Sequence, residues 1–275
     1  MAGRTVIITG ASDGLGAVAA DRLSRSGENV VVVGRSEAKT TAVAARLGVE
    51  YFVADFTDLA QVRRLAEQLL RSYPRIDVLA NNAGRAMRRR ALTVDGHETT
   101  FQVDYLAAFL LTTLLLDRLL ESGATVLNTS SVVNTYFGRV DVDDLDLARG
   151  YRPLRAYGAA KLENILFIKE LHRRYHAAGI SAAAFHPGSV ATNFGKESRT
   201  WWIRTAFRGP IKYLALTGPE RGSDELVWLA SSTPGIDWKS GEYYANHRIA
   251  RANPRASDPG LARELWERSL AMVAT

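Results

Sequence analysis

Tyr157 and Lys161 stand four residues apart in Tyr157-Gly158-Ala159-Ala160-Lys161. On a helix that spacing puts both side chains on one face. A tyrosine hydroxyl keeps its proton at neutral pH, with a reference pKa near about 10. A neighbouring ammonium favours the phenolate. Such a pair can pass a proton to a developing alkoxide or take one from an alcohol. Taken alone, the pair is usually structural. Ser131 closes Asn128-Thr129-Ser130-Ser131 and adds a hydroxyl at the end of a predicted strand. A Ser-Ser pair there would also serve as a turn cap. Near the N-terminus lies Thr9-Gly10-Ala11-Ser12-Asp13-Gly14-Leu15-Gly16. Glycines let a backbone turn tightly and approach a pyrophosphate, and the N-terminus of a following helix offers unpaired N–H groups. The chemistry implied is redox at a carbonyl or alcohol, with a dinucleotide alongside.

The surrounding elements must place these groups together. Short β-branched runs, Thr5 to Thr9, Val30 to Val33, Ile76 to Ala80 and Thr125 to Asn128, suit strands buried on both faces of a parallel sheet. Helical stretches alternate with them: Leu15 to Ser26, Ser36 to Leu47, Thr57 to Tyr73, Gly96 to Glu121 and Leu154 to Ala178, the last leading to a strand from Ile180 to Phe185. Gly27 and Gly48 suit helix ends, and Pro74 stops the third helix. Repeated βα units predict a doubly wound parallel sheet, a three-layer α/β/α Rossmann fold, as one domain over residues 1–275. Two stretches break the rhythm, Val132 to Pro153 and an aromatic, basic segment at 189–217. Both fall beyond the carboxyl ends of strands, where ligands bind in this topology, and the second is expected to be a substrate lid.

The glycine spacing Gly-x-x-x-Gly-x-Gly after Thr9, with Asn81-Asn82-Ala83-Gly84, Ser131 and the Tyr157–Lys161 pair, resembles the short-chain dehydrogenase/reductase family in its compact one-domain form. The resemblance covers nearly the whole chain. It implies that Gly10, Ser12, Asp13, Gly14, Leu15 and Gly16 cradle the cofactor, that Asp55 and Phe56 lie at its adenine, and that Asn82, Ala83 and Gly84 line the adenosine side. It implies that Ser131 hydrogen-bonds the substrate oxygen, that Tyr157 transfers the proton, and that Lys161 holds the nicotinamide ribose. Pro187, Gly188, Val190 and Thr192 match the segment that packs on the nicotinamide. One position departs from the family: Asp104 stands where an asparagine usually holds a relay water. An aspartate accepts hydrogen bonds but lacks amide donors and adds charge. The relay is then altered, or it uses the backbone carbonyl.

Cofactor choice follows from charge. The second strand ends Val33-Gly34-Arg35-Ser36. An acidic residue there would bind the ribose hydroxyls of NAD. Arg35 offers a planar cationic fork to a 2′-phosphate, with Ser36 beside it and Lys39 a turn further, so NADP(H) is expected over NAD.

Asp143-Asp144-Leu145, the stretch from Tyr157 to Asn164, His186-Pro187-Gly188 and Gly241-Glu242-Tyr243-Tyr244 resemble the retinol-dehydrogenase-like branch. That implies a small-molecule ketone, aldehyde or alcohol substrate, lipophilic or polycyclic. Phe194, Trp201, Trp202, Phe207 and Tyr213 suit a lid over such a substrate, and equally a packed or subunit-contacting surface. The family also implies subunit contacts around the helices of Asp104 and Tyr157, hence a homodimer or homotetramer.

The rest of the composition narrows the class. Lys plus Arg exceeds Asp plus Glu by 35 − 29, a net +6 that is dispersed and lacks the basic, aromatic helix of a nucleic-acid binder. There is no cysteine, and the five histidines show no metal-ligand spacing. No signal peptide is visible. The longest apolar run, Tyr105 to Leu116, is shorter than the roughly 20 residues of a spanning helix, so a cytoplasmic protein is expected. Two other readings stand beside the reductase: a nucleotide-binding regulator without turnover, favoured only by Asp104, and a sugar-nucleotide epimerase or dehydratase, whose relatives are longer.

Overall fold

The computed structural model describes residues 3–188 and 219–274. Eight strands form one sheet in the order β3-β2-β1-β4-β5-β6-β7-β8. They are β1 (Thr5–Thr9), β2 (Asn29–Gly34), β3 (Glu50–Val53), β4 (Val78–Asn81), β5 (Thr125–Thr129), β6 (Ser181–Phe185), β7 (Glu242–Ala245) and β8 (Arg248–Ile249). Pairing is parallel from β3 to β7, and β8 alone is antiparallel, joining Tyr244 to Ile249. The wholly parallel sheet expected from the sequence therefore carries an antiparallel edge. The middle strands are buried on both faces, as their unbroken Val and Ile runs require.

Helices cover both faces, giving the expected three layers. On one face lie α1 (Gly14–Arg25), α2 (Glu37–Leu47) and, later in the chain, α9 (Pro219–Ser231). On the other lie α3 (Leu59–Ser72), α4 (Thr99–Phe101), α5 (Ala107–Leu114), α6 (Leu116–Ser122), α8 (Pro153–Tyr175) and α10 (Pro259–Val273). The short α7 (Val133–Phe137) follows β5 and packs on α8. Asp13, Ser36, Asp58, Glu98 and Asp258 cap α1, α2, α3, α4 and α10 through their side-chain oxygens.

The expected single helix from Gly96 to Glu121 is broken. It starts at Thr99, winds through a π-helical turn at Gln102–Leu106, and restarts at Ala107. A second break falls at Leu115 before α6. π turns insert one residue into a helix and are frequent at functional sites. This one contains Asp104.

Helix α10 lies across α5 and α8. Its Trp266 packs on Phe109 and Phe167, and its Ser269 Oγ bonds the Tyr105 hydroxyl at 2.7 Å. These are the helices around Asp104 and Tyr157 for which the family resemblance implies subunit contacts. Their aromatic side chains are buried within this chain.

Candidate active site

The order of strands reverses around β1, which is flanked by β2 and β4. Ligands bind at such a switch point, beyond the carboxyl ends of the strands. The glycine loop sits there. Gly10 and Gly14 adopt φ of 66° and 58°, a region that side chains disfavour. A Cβ on Gly16 would stand 2.5 Å from the Gly10 carbonyl and 2.7 Å from the Asn82 amide. The loop is thus pressed onto Asn82 and Ala83. Asn82 Nδ2 donates to the carbonyls of Thr9 and Gly10, while the N–H groups of Asn82 and Ala83 reach Thr9 Oγ1. Nothing lies within 4 Å of where a Gly14 Cβ would be, so the first turn of α1 faces open space. A bare backbone at a helix N-terminus fits a pyrophosphate.

The other expected cofactor residues fall as follows. Arg35 follows β2, is exposed, and makes no ion pair among the described residues. Ser36 caps α2, and Lys39 pairs with Asp13 at 3.0 Å. Leu15 is buried on the α1 side of the sheet. Asp55 Oδ1 accepts from both the N–H and the hydroxyl of Thr57. The Phe56 ring packs into the core cluster that also holds Leu59 and Val103. Pro187 and Gly188 follow β6. Val190, Thr192 and the lid expected at 189–217 lie outside the described residues.

Ser131, Tyr157, Lys161 and Asp104 come together at the carboxyl end of β5. Ser131 ends the turn after that strand, and its hydroxyl is in hydrogen-bonding contact with Tyr157. Lys161 lies one turn on from Tyr157, its Nζ 5.2 Å from the centre of the tyrosine ring. Ser130, the other serine of the pair, donates its hydroxyl to the Lys161 carbonyl at 2.6 Å and so fastens β5 to α8. The helices α7 and α8 touch through bare backbone: a Cβ on Gly158 would be 2.6 Å from the Phe137 carbonyl carbon.

Asp104 touches the lysine directly. Lys161 Nζ is 2.9 Å from Asp104 Oδ2, with both side chains almost wholly buried. The Arg85 N–H donates to the other carboxylate oxygen at 2.6 Å, and Lys161 also donates to the Thr129 carbonyl at 3.2 Å. A Cβ on Gly84 would meet both members of the pair at 3.2 Å. The Asp104 backbone carbonyl is engaged as well, accepting from Asn164 Nδ2 at 2.8 Å.

Asn164 belongs to a ladder that sequence reasoning did not resolve. Asn81 Nδ2 donates to Asn128, Asn128 to Asn164, and Asn164 to the carbonyls of Asp104 and Ala160. The buried chain of amides links β4, β5, α8 and the π turn. Its signal was present: three asparagines at strand ends and on an otherwise apolar helix face need partners when buried.

Electrostatics follow from burial. Burial raises the Asp104 carboxyl above its usual range, opposed by Lys161 and by the Arg85 N–H. Burial would lower Lys161, but Asp104, Tyr157 and the Asp104 hydrogen bond outweigh it, so the ammonium is held. Burial raises Tyr157; Lys161 and Ser131 pull it down, and Asp104 pushes it up. The net direction is upward, against the sequence expectation from the lysine alone. Deeper in, burial and the carboxylates of Glu98, Asp146 and Asp104 push Glu163 far up.

Residues 4–202 match the family model for short chain dehydrogenases. The chain is 42% identical to a Streptomyces sp. (strain C5) protein provisionally named daunorubicin C-13 ketoreductase DnrU, over 98% of this chain and 93% of that one. It is 33% identical to mouse (Mus musculus) retinol dehydrogenase 14, over 99% and 86% of the two chains. A crystal structure of an uncharacterised protein from Mycobacterium paratuberculosis superposes with a TM-score of 0.80 at 34% identity, covering 99% of this chain and 94% of that one. The chain belongs to the short-chain dehydrogenase/reductase family. Within it, the chain sits in the retinol-dehydrogenase-like branch and is an oxidoreductase of that kind.

Proposed function

We propose that this oxidoreductase is an NADP(H)-dependent reductase of a lipophilic or polycyclic ketone or aldehyde, able to oxidise the corresponding alcohol. The observation that carries the reading is the convergence of the Ser131 hydroxyl, the Tyr157 hydroxyl and the Lys161 ammonium at the end of β5. The glycine loop, Asn82 to Gly84, and the N-terminus of α1 would hold the dinucleotide, which when bound supplies or accepts the hydride. Ser131 holds the substrate oxygen, and Tyr157 delivers a proton to it as negative charge develops. Lys161 steadies the tyrosine from one turn away. Arg35, exposed and unpaired among the described residues, supports NADP(H) over NAD, because its fork matches a 2′-phosphate.

Two features support an apolar substrate. Tyr136 and Phe137 are exposed on α7, and Leu154 on the first turn of α8, the elements adjoining Ser131 and Tyr157. The names of the DnrU and retinol dehydrogenase relatives point to a polycyclic ketone and a lipophilic alcohol. We read the chain as one cytoplasmic domain. Among the described residues no helix is long and apolar enough to cross a membrane.

The test is NADPH oxidation against polycyclic aromatic ketones, retinal-like aldehydes and steroid-like ketones. Tyr157→Phe should cut turnover roughly 10²-fold or more while NADPH binding persists. Unchanged turnover in that variant overturns the mechanism. The buried Asp104–Lys161 pair favours a second reading, a cofactor-binding regulator; NADPH binding with no turnover of any of these carbonyls would select it.

A further inference from the structure

We propose that Asp104 is a positioning residue whose carboxylate ties down the Lys161 ammonium and offsets its charge, so that Tyr157 stands as a proton donor and the site is biased toward carbonyl reduction. The inference rests on the reductase reading above and assigns a role to a residue of this chain that departs from its relatives' pattern.

The geometry makes the aspartate a direct partner of the lysine. Asp104 Oδ2 is 2.9 Å from Lys161 Nζ, and neither side chain reaches solvent. Its other oxygen is fixed by the Arg85 N–H, and its backbone by the Asn164 amide. The π turn at Gln102–Leu106 sets the carboxylate at this depth. An ammonium with a carboxylate against it has little net charge to spend on a phenol one helical turn away, and in a water-poor site that difference is felt strongly.

Among the described residues, other groups around the tyrosine do not replace the lost field. Ser131 and the Tyr243 hydroxyl, on the β5–α7 turn and β7, are uncharged. The charged groups acting on Asp104 from elsewhere are Lys161 and Arg85, and the titratable carboxyls of Glu98 and Glu163 lie on neighbouring elements. Arg85 offers its backbone N–H to the pair and adds a favourable charge. Burial and Asp104 both favour the protonated tyrosine, against Lys161 and Ser131. A protonated Tyr157 serves reduction directly, whereas alcohol oxidation needs the phenolate and so a higher pH.

The test reads Tyr157 itself. Ultraviolet difference titration of the full chain against Tyr157→Phe isolates its ionisation without any turnover. In the unsubstituted chain Tyr157 should be less than half ionised at about pH 10, the value for free tyrosine. In Asp104→Asn, an isosteric change, the midpoint should fall by about one pH unit or more. The pH at which ketone reduction halves should fall with it. A Tyr157 midpoint well below that of free tyrosine in the unsubstituted chain, or one unmoved by Asp104→Asn, overturns the proposal. If Asp104→Asn does not fold, the first titration alone decides. A chain that reduces no carbonyl yet shows both titration results fails the reductase reading while keeping the pairing.

Discussion

Trp266 meets Phe109 edge-on, with ring centroids 5.0 Å apart, and thereby fastens the C-terminal helix to α5. Phe167 of α8 lies 5.6 Å from the same indole. The aromatic face of α5 and α8 is filled from within the chain. Any dimer or tetramer that light scattering finds would form through surfaces other than this face. Trp266→Ala should lower the unfolding free energy by about 3–5 kcal/mol, measured by urea denaturation. A loss below about 1 kcal/mol would show that α10 is loosely held.

The amide ladder gives a second expectation. Replacing Asn164 by Leu removes the partner of the Asn128 amide and one donor to the Asp104 carbonyl. An orphaned group costs about 1–3 kcal/mol. Asn164→Leu should also lower turnover, because the backbone that carries Asp104 loses its tie to α8. Stability and turnover both unchanged would count against the ladder.

Glu163 should make stability fall as pH rises. Burial and its acidic neighbours raise its carboxyl far above the ordinary range, so the folded chain keeps a proton that the unfolded chain has released. Above the unfolded value of about 4.3 each further pH unit costs about 1.4 kcal/mol, until the folded value is reached. Glu163→Gln removes that dependence. Its melting temperature should match the unsubstituted chain near about pH 4 and exceed it increasingly toward neutrality. A constant difference across the range would mean that Glu163 is ionised in the fold.

Arg35→Asp tests the cofactor side. Loss of one charge-assisted contact, about 1.5–3 kcal/mol, should lower kcat/KM for NADPH roughly 10-fold or more while sparing NADH. Equal use of both dinucleotides before and after the change would remove Arg35 from the choice.

The sheet was legible because Val30 to Val33 and Thr5 to Thr9 leave little choice but buried parallel strands. Ser131, Tyr157 and Lys161 could be named as candidates because one follows a strand, the other two share a helix face, and the three together resemble the family's pattern. The π turn was not. A one-residue insertion in Phe101 to Leu106 leaves the helical pattern looking unbroken, since every face there is buried. That Asp104 can accept from Lys161 follows from its residue type; the direct contact at 2.9 Å, made from within that turn, is what the structure adds. Glu163 reads as a solvent-facing charge until the packing of α8 encloses it. β8 is two residues long and exposed, with no periodicity to announce it. The C-terminal helix did carry a signal, Asp258 before Pro259 with Leu261, Leu265 and Trp266 at helical spacing, but nothing in the sequence says which face it would cover.

Gly158 returns the argument to the tyrosine beside it. The missing methyl group lets α7 and α8 meet backbone to backbone, one residue from Tyr157 and a few from Ser131. The two hydroxyls are therefore gauged by the contact of two main chains, with no side chain between them to flex. A single added carbon at Gly158 would act as a shim: it would widen the gap between proton donor and hydroxyl clamp and shift the aromatic rim of α7 in the same stroke. On the proposed function, substrate fit and proton delivery would share this one spacing and would have to evolve together.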